Sequence, residues 1–212
     1  MNPGPGLSPW AAKALGWFLL KLVRVLTGAQ ARWYGCPPVA EQRIYFANHQ
    51  SHADLVMIWA ALPHELRAIT RPVAARDYWT KSPLRQWITT AVFNAVYVER
   101  EGKGEGDPLQ PLDDALARGD SIILFPEGTR GDGEETQRFR SGLYTLATRF
   151  PHVVLVPAWI DNIHRVMPKG EVVPVPILCS VTFGAPIRVE PDEERRAFLD
   201  RARQAVVSLR DV

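Results

Sequence analysis

From residue 43 onward, short apolar runs alternate with segments whose apolar residues recur at helical spacing. Short apolar runs between turn residues indicate buried strands, and a period of about 3.6 residues indicates helices with one buried face. The predicted strands are 43–47, 65–70, 95–99, 121–125, 153–159 and one or two within 173–183. The predicted helices are 51–62, 82–93, 108–118, 141–150 and 191–209. Strands separated by helices predict a single α/β domain with a mostly parallel or mixed sheet flanked by helices.

The longest apolar stretch, residues 9–27, is interrupted by Lys13, Lys21 and Arg24. At about 100° per residue, these three cations fall within roughly 80° of arc on a helix. The residues gathered opposite them are Leu15, Phe18, Leu19, Leu22, Val25 and Leu26. A spanning helix needs about 20 mostly apolar residues, so the pattern predicts an amphipathic helix lying in a membrane interface. A surface helix that docks on its own domain fits the periodicity equally well.

Aromatic residues extend the expected interface segment beyond this helix. Together with Trp10 and Trp17, Trp33 and Tyr34 would suit the headgroup level of a membrane, where Trp and Tyr are enriched. We therefore expect residues 1–35 to form an N-terminal amphipathic segment and residues 36–212 to form the globular domain.

Composition narrows the class of protein without identifying a function. A chain of 212 residues fits one domain, and 46% hydrophobic with 23% charged residues is the balance of a globular protein. A net charge of +2 without a dense Lys/Arg patch argues against nucleic acid as a partner. Cys36 and Cys179 lack metal-ligand spacing, and a chain of this size does not need a disulfide. The two thiols suit a reducing cytosol.

A first group of polar residues lies where strand 43–47 ends and helix 51–62 begins, with His49 in the turn. Ser51 followed three residues later by Asp54 is the spacing of a capping box, which places the Asp54 carboxylate in the first helical turn. That carboxylate can hold one imidazole nitrogen of His49 and leave the other as a base toward substrate. A carboxylate that only caps the helix explains the same spacing. Because no G-x-S-x-G motif occurs, the base would act on a substrate hydroxyl or a water.

A second group, F-P-E-G-T-R at residues 125–130, follows the strand 121–125. Gly128 allows the backbone to approach a ligand closely, and Arg130 offers a planar fork suited to a phosphate. Taken alone, an ordinary turn with a solvated arginine explains this block equally well.

Together the two groups carry more information than either does alone. A-N-H-Q-S-H-A-D at residues 47–54, followed by F-P-E-G-T-R, resembles the 1-acylglycerol-3-phosphate acyltransferase family within the glycerolipid acyltransferase superfamily. Further matches follow the family's order: V-Y-V-E-R at 96–100, V-P-A at 156–158 and F-G-A-P-I at 183–187. The resemblance covers roughly residues 43–189.

The resemblance implies that His49 is the general base and that Asp54 orients it. The residues that would shape the acceptor and phosphate site are Arg100, Glu127, Gly128, Thr129 and Arg130. Among these, Thr129 would lend a hydroxyl or N–H to the phosphate, and Glu127 would orient an arginine or a glycerol hydroxyl. Three departures from the family pattern leave the headgroup and local packing open: Asn94 replaces a frequent glycine, Glu101 a frequent cation and Gly131 a common serine.

The implied reaction moves a fatty acyl group from an acyl thioester to a hydroxyl of a lysophosphatidic-acid-like acceptor, as in phospholipid biosynthesis. The donor would be acyl-CoA or acyl-carrier protein, with no metal or other cofactor. The expected place is the cytoplasmic side of a membrane, as a peripheral, monotopic protein. The alternatives are a phospholipid-remodelling transacylase, an acyltransferase for another lysolipid, and a non-catalytic lipid- or phosphate-binding module.

Overall fold

Seven strands form one sheet in the computed structural model, which describes residues 10, 14–18, 21, 30–51, 53–99, 106–131, 136–161 and 179–212. The strands are β1 (Gln30–Trp33), β2 (Arg43–Ala47), β3 (Thr70–Ala75), β4 (Val96–Val98), β5 (Ser121–Leu124), β6 (Val154–Ile160) and β7 (Ser180–Phe183). The helices after β1 are α1 (Asp54–Ala61), α2 (His64–Ile69), α3 (Arg76–Trp79), α4 (Pro83–Trp87), α5 (Gln110–Ala117), α6 (Gly142–Arg149) and α7 (Arg195–Val207). A π-helical turn, Ile88–Val92, continues α4.

The sheet has the order β1-β7-β6-β2-β5-β3-β4. Neighbouring strands are parallel except for β6 and β7, which are antiparallel. The predicted α/β fold with a mostly parallel, mixed sheet is therefore confirmed. Strand β2 lies in the middle, and all five of its residues are buried. Burial on both faces explains why this strand appears in the sequence as an apolar run rather than as an alternation.

Two apolar cores lie on opposite faces of the sheet because successive strand residues point to opposite sides. On one face, Tyr45 and Ala47 pack with α1 and α2. On the other face, Ile44 and Phe46 pack with α5, α6 and α7. Each of these three helices contributes apolar residues spaced by three or four positions: Leu112, Ala115 and Leu116; Leu143, Leu146 and Ala147; Phe198, Ala202 and Val206. The result is three layers, with the sheet between helices.

Most of the predicted elements are present, with boundaries that differ by a few residues, but the strand predicted at 65–70 is wrong. These residues belong mainly to helix α2, of which only Leu66 is buried, and the strand follows at Thr70–Ala75. Glu, Leu, Arg and Ala in α2 are good helix formers, so residues 65–69 favour a helix. Pro72 cannot donate a hydrogen bond to a neighbouring strand, so the sequence around it argues against the strand that is observed at Thr70–Ala75. Pro72 is tolerated because the pairing of β3 with β5 ends there, and the pairing with β4 begins at Val73.

Strand β1 was not predicted, and it lies within the segment 1–35 that was expected to be an amphipathic N-terminal segment. Gln30–Trp33, which the sequence analysis assigned to the N-terminal segment 1–35, pair with Ser180–Phe183. Trp33, expected at a membrane headgroup level, instead stacks on Phe183 with ring centroids 4.1 Å apart. Among the described residues, the sheet therefore includes 30–33, which lie within the segment 1–35. Of the stretch 173–183, the structure describes 179–183, which contains β7; residues 173–178 lie outside the described part.

Residues 14–18, within the predicted amphipathic stretch 9–27, are helical. Gly16 is buried here, and a Cβ at this position would lie 3.2 Å from Cγ1 of Val92 in the π-helical turn. The fragment therefore contacts the domain through Gly16. Six predicted members of the two helix faces lie outside the described residues: Lys13, Leu19, Leu22, Arg24, Val25 and Leu26. Across the described part of the chain, none of the helices combines the length and the apolar character needed to cross a bilayer.

Candidate active site

The two polar groups found in the sequence meet at one edge of the sheet. Strands β2 and β5 are parallel neighbours, with Phe46 paired to Leu124. The loops that follow the two strands therefore emerge side by side at the carboxyl edge, the usual location of a site in an open α/β sheet. A backbone hydrogen bond of 2.9 Å from the N–H of Gly131 to the carbonyl of His49 joins the two loops.

His49 and Asp54 form the pair that the sequence predicts. His49 Nδ1 lies 2.8 Å from Asp54 Oδ2, and Asp54 is fully buried whereas the His49 side chain is 16% exposed. Oδ2 also accepts hydrogen bonds from the backbone N–H groups of Gln50 and Ser51, at 2.7 and 2.8 Å. With Oδ2 acting as an acceptor, Nδ1 carries the ring proton and Nε2 is the basic nitrogen.

The start of α1 differs from the capping box that the spacing predicts. The helix begins at Asp54 rather than Ser51, and its N-cap is Ala53. The Asp54 carboxylate does reach back to the N–H of Ser51, as in a capping box, but the Ser51 hydroxyl accepts from the N–H of Ala53 at 3.2 Å. The N–H of Asp54 is bonded instead to the carbonyl of Ser51 at 3.2 Å. The carboxylate thus both closes the turn and holds the imidazole.

Two further residues fix the position of His49 and its loop. The His49 ring stacks on Phe125, with centroids 4.4 Å apart and ring planes 18° apart. Buried Asn48 joins the loop to the end of β6: its amide donates to the carbonyl of Ile160 at 3.1 Å and accepts from the N–H of Ile160 at 2.8 Å. The imidazole is therefore held by an aromatic ring and by a backbone that is tied to the neighbouring strand.

Glu127 ties the second loop to the first. Its Oε1 accepts a hydrogen bond from the backbone N–H of His49 at 2.7 Å, and its Oε2 accepts one from the N–H of Gln137 at 2.9 Å. Glu127 is buried, and this burial raises the pKa of its carboxyl, although the two N–H groups counteract the shift in part. The observed contacts of Glu127 are thus with the backbone of two loops, and the expected contact with an arginine or a glycerol hydroxyl stays a prediction.

Gly128 is glycine for a reason that involves another side chain. Its φ is +70°, a left-handed conformation that side chains rarely adopt. A Cβ at Gly128 would lie 2.5 Å from Nε of Arg140 and 2.9 Å from its Cζ. The sequence predicts that a ligand approaches this glycine closely; in the structure an arginine side chain does so. Arg140 was not predicted as a site residue because it lies ten positions beyond the F-P-E-G-T-R block, outside every matching motif.

The remaining predicted site residues are placed differently. Thr129 and Arg130 are exposed and are not among the described residues that line the cleft beside His49. Arg100 lies outside the described residues, as does Glu101. Asn94, which replaces a frequent glycine, has a φ of +49°. Asn tolerates this left-handed conformation better than other side chains, so the departure is conservative for the backbone.

The cleft beside His49 has a volume of about 500 Å³ and lies between the carboxyl ends of β3, β4 and β5 and the helices α5 and α6. This volume falls within the usual range of ligand sites. Its apolar walls are formed by Val73, Ala75, Val98, Leu109, Leu112, Leu124, Phe125 and Leu143. The polar groups in the lining come from Gly128, Arg140, Arg149, Ser141 and Thr145 and from the carboxylates Glu99 and Asp107. In the part of the chain that is described, there is no group of three or more His, Cys, Asp and Glu residues that could hold a metal ion.

Comparison with known proteins identifies relatives of the chain. The family model described as Acyltransferase matches residues 35–161, more than half of the chain and both loops of the site. The chain is 26% identical over 175 residues to a 1-acyl-sn-glycerol-3-phosphate acyltransferase of Chlamydomonas reinhardtii, covering 81% of this chain and 49% of the relative. It is 28% identical over 146 residues to a lyso-ornithine lipid O-acyltransferase of Pseudomonas aeruginosa, covering 68% and 52%. The chain thus spans about half the length of these curated relatives.

The fold is also similar to a solved structure, the 1-acyl-sn-glycerophosphate acyltransferase PlsC from Thermotoga maritima. The TM-score is 0.66, and the similarity covers 94% of this chain and 81% of the other. The sequence identity is 21%, so this comparison concerns the fold alone.

Proposed function

The chain belongs to the acyltransferase family, and on this premise we propose that it moves a fatty acyl group from an acyl thioester to the hydroxyl of a lysophosphatidic-acid-like acceptor. The observation that carries the proposal is the contact between His49 Nδ1 and the buried Asp54 carboxylate, which leaves Nε2 as a base at the cleft. A binding module has no need of a base held in this way.

In the proposed reaction, Nε2 of His49 removes the proton from the acceptor hydroxyl while its oxygen attacks the thioester carbonyl carbon. The tetrahedral intermediate collapses, the C–S bond breaks, and the leaving thiolate takes the proton back from the imidazolium. Asp54 lies against Nδ1 and stabilises the positive charge that forms on the ring, as the carboxylate does in other His–carboxylate pairs. The protein supplies a positioned base, and no acyl-enzyme forms.

The shape and lining of the cleft support a lipid substrate. Its walls are mainly aliphatic, and such a surface suits an acyl chain because burial of each methylene contributes about 0.8 kcal/mol. His49 lies at the same cleft as these walls, so a bound acyl chain and an acceptor hydroxyl can meet there. We assign the thioester donor to acyl-CoA or acyl-carrier protein, both of which present the same reactive carbonyl.

A second acceptor is favoured by one of the relatives. The Pseudomonas aeruginosa relative is named for a lyso-ornithine lipid. An acceptor of that kind would offer a hydroxyl to His49 without offering a phosphate. The acyl-transfer step would be unchanged, and only the recognition of the headgroup would differ.

A substrate panel tests these proposals. Purified protein would be given acyl-CoA or acyl-carrier protein in turn, each with lysophosphatidic acid, lyso-ornithine lipid or monoacylglycerol, and His49→Ala would serve as the blank. We expect acylated lysophosphatidic acid to form from a thioester only when His49 is present. Transfer from a phospholipid without any thioester would instead indicate a transacylase. A folded wild-type protein that transfers to no acceptor would refute the enzymatic proposal.

We also propose peripheral attachment to the cytoplasmic face of a membrane through the helical fragment 14–18. Gly16 contacts the domain, while Trp17 and Phe18 are 63% and 54% exposed. Lys21 Nζ lies 5.7 Å from the centroid of the Trp17 ring, so a cation accompanies the exposed aromatic residues. Exposed Trp and Phe beside Lys suit an interface that contains anionic lipids.

Vesicle co-sedimentation tests the attachment. The double variant Trp17→Ser/Phe18→Ser should lose most of its binding to vesicles that contain phosphatidylglycerol. Val39→Ser removes an apolar side chain that is 51% exposed, in the loop after β1, and should retain the binding. Equal binding by the double variant and the wild type would refute this surface, and thermal melts would establish that both variants are folded.

A further inference from the structure

Two arginines, Arg140 and Arg149, line the cleft beside His49. Arg149 is already neutralised. Its Nη2 lies 2.8 Å from the Asp107 carboxylate, and its Nη1 forms a second ion pair with Asp113. An incoming phosphate would have to compete with two carboxylates for this guanidinium. Arg149 therefore ties the loop before α5 to the end of α6 and offers little charge to a ligand.

Arg140 is held differently: among the described residues, no carboxylate forms an ion pair with it. Its backbone N–H donates to the carbonyl of Pro126 at 2.8 Å, and its Nε donates to the carbonyl of Glu127 at 3.2 Å. The first bond fixes the backbone of Arg140, and the second fixes the inner part of its side chain across Gly128. Within the described part of the chain, Nη1 and Nη2 donate no hydrogen bond, and no ion pair involves Arg140. As far as the described residues show, the outer fork of the guanidinium is thus held at the cleft without a partner.

We infer that Arg140 binds the phosphate of the acceptor at the cleft, an inference that rests on the function proposed above. A guanidinium presents two parallel N–H donors that match two phosphate oxygens, and such charge-assisted pairs are stronger than neutral hydrogen bonds. Its stem is fixed to the same loop whose Glu127 carboxylate holds the His49 backbone. One loop therefore positions both the base and the phosphate-binding cation.

Gly128 has a defined part in this arrangement. The guanidinium crosses Gly128 so closely that any side chain there would displace Nε, Cδ and Cζ of Arg140. Gly128→Ala would move the cation without removing its charge. This substitution should therefore weaken phosphate binding as Arg140→Gln does. Because a side chain at a φ of +70° also strains the loop that holds His49, it should lower transfer to every acceptor as well.

The experiment compares kcat/KM for lysophosphatidic acid and monoacylglycerol across four variants. Arg140→Gln should lower kcat/KM for lysophosphatidic acid by about ten- to a hundredfold, mainly through KM, and should change the monoacylglycerol value by less than about threefold. Arg140→Lys should restore only part of the loss because lysine lacks the planar fork. Gly128→Ala should lower kcat/KM for both acceptors, with the larger loss on lysophosphatidic acid. Arg138→Gln, two positions away and exposed but outside the cleft lining, is the matched control and should resemble the wild type.

Arg130→Gln tests the alternative, because the family resemblance implies that Arg130, rather than Arg140, contacts the phosphate. A selective loss in Arg130→Gln together with normal selectivity in Arg140→Gln would overturn the inference and leave the acyl-transfer proposal intact. An equal loss on both acceptors in Arg140→Gln would also overturn it, since Arg140 would then only hold the loop. If the wild type acylates another lysolipid but not lysophosphatidic acid, phosphate binding by Arg140 would be refuted, and the acyl-transfer proposal would stand. No transfer to any acceptor would refute both proposals.

Discussion

The loops that follow β2 and β5 lie side by side at one edge of the sheet, yet they hold their polar groups in opposite ways. In the first loop, Asp54 is fully buried and bonds to His49 and to two backbone N–H groups within five residues. In the second loop, Thr129 and Arg130 are exposed, and buried Glu127 bonds to segments outside its own turn. We call the first the closed loop, because its carboxylate bonds to groups within the loop. We call the second the open loop, because Thr129 and Arg130 face solvent while its buried glutamate bonds to other segments.

The difference follows from what the two loops are proposed to do. A base contributes to catalysis when its geometry is fixed before the substrate arrives, because the cost of ordering it is then met during folding. Groups that recognise a headgroup must instead be accessible to a ligand that diffuses in from a lipid surface. The closed loop therefore suits the proton transfer, and the open loop suits recognition. Substitutions in each loop should separate these two roles.

The largest effect should come from the closed loop. His49→Ala and Asp54→Ala should each lower kcat by about 10² to 10⁴, the usual contribution of a positioned general base. The kcat of the double variant should be no lower than that of the less active single variant, because the two residues act as one unit. Turnover of the variants is measured with the best donor and acceptor from the substrate panel. An additive loss in the double variant would show that the two side chains act independently.

Thermal stability should distinguish the two single variants. Asp54→Ala leaves the N–H groups of Gln50 and Ser51 without their acceptor, which costs about 1–3 kcal/mol for a buried donor. His49→Ala leaves those N–H groups bonded and should melt close to the wild type. His152→Ala, an exposed histidine before β6, is the matched control for both activity and stability.

The next effect should come from Glu127→Gln, which weakens the link between the loops. Gln presents an NH₂ group where one oxygen accepted a backbone N–H, so either His49 or Gln137 loses its acceptor. We expect activity to fall roughly tenfold, which corresponds to about 1.4 kcal/mol of transition-state stabilisation. Glu194→Gln, at an exposed position before α7, should have no such effect. Full activity in Glu127→Gln would mean that the position of His49 does not depend on this link.

The same variant should change the pH dependence of stability. Because burial raises the pKa of Glu127, the folded chain keeps this proton to a higher pH than the unfolded chain does. The resulting stabilisation is complete below the unfolded value of about 4.3 and is lost as pH rises through the folded value. Gln does not titrate, so the deficit of Glu127→Gln in free energy of unfolding should be larger near about pH 4 than near about pH 7. Denaturant melts at both pH values measure this deficit. A deficit that grows with pH would contradict a raised pKa of Glu127.

The smallest effects should come from a matched pair of hydroxyl deletions. Ser51→Ala in the closed loop removes a buried acceptor for the N–H of Ala53 and should cost about 1 kcal/mol. Thr129→Ala in the open loop should change the free energy of unfolding by no more than about 0.5 kcal/mol, as exposed substitutions usually do. Denaturant melts measure both values. If both substitutions lowered the free energy of unfolding equally, the closed and open loops would not differ in how they hold their hydroxyl groups.

Much of the site could be predicted because its central contacts are local. His49 and Asp54 are five residues apart across a strand–helix junction, so the carboxylate reaches the ring without help from distant parts of the chain. The start of α1 was predicted three residues too early because Ser51 and Asp54 allow a helix to begin at either residue. For Thr129 and Arg130, the motif marked the correct loop and could not say which of its side chains point to the cleft.

The sequence by itself determined the α/β class, the order of most strands and helices, and the pairing of His49 with Asp54, because periodicity and turn chemistry act over a few residues. Only the tertiary structure decided the contacts between segments that are distant in the chain. Examples are the bond from Glu127 to His49, 78 residues apart, and the pairing of β1 with β7 across 150 residues. The crossing of Arg140 over Gly128 belongs to the same class, since it depends on the path of the chain between β5 and α6. Such contacts arise when separate elements pack onto one sheet, and no local pattern records which side chains then become neighbours.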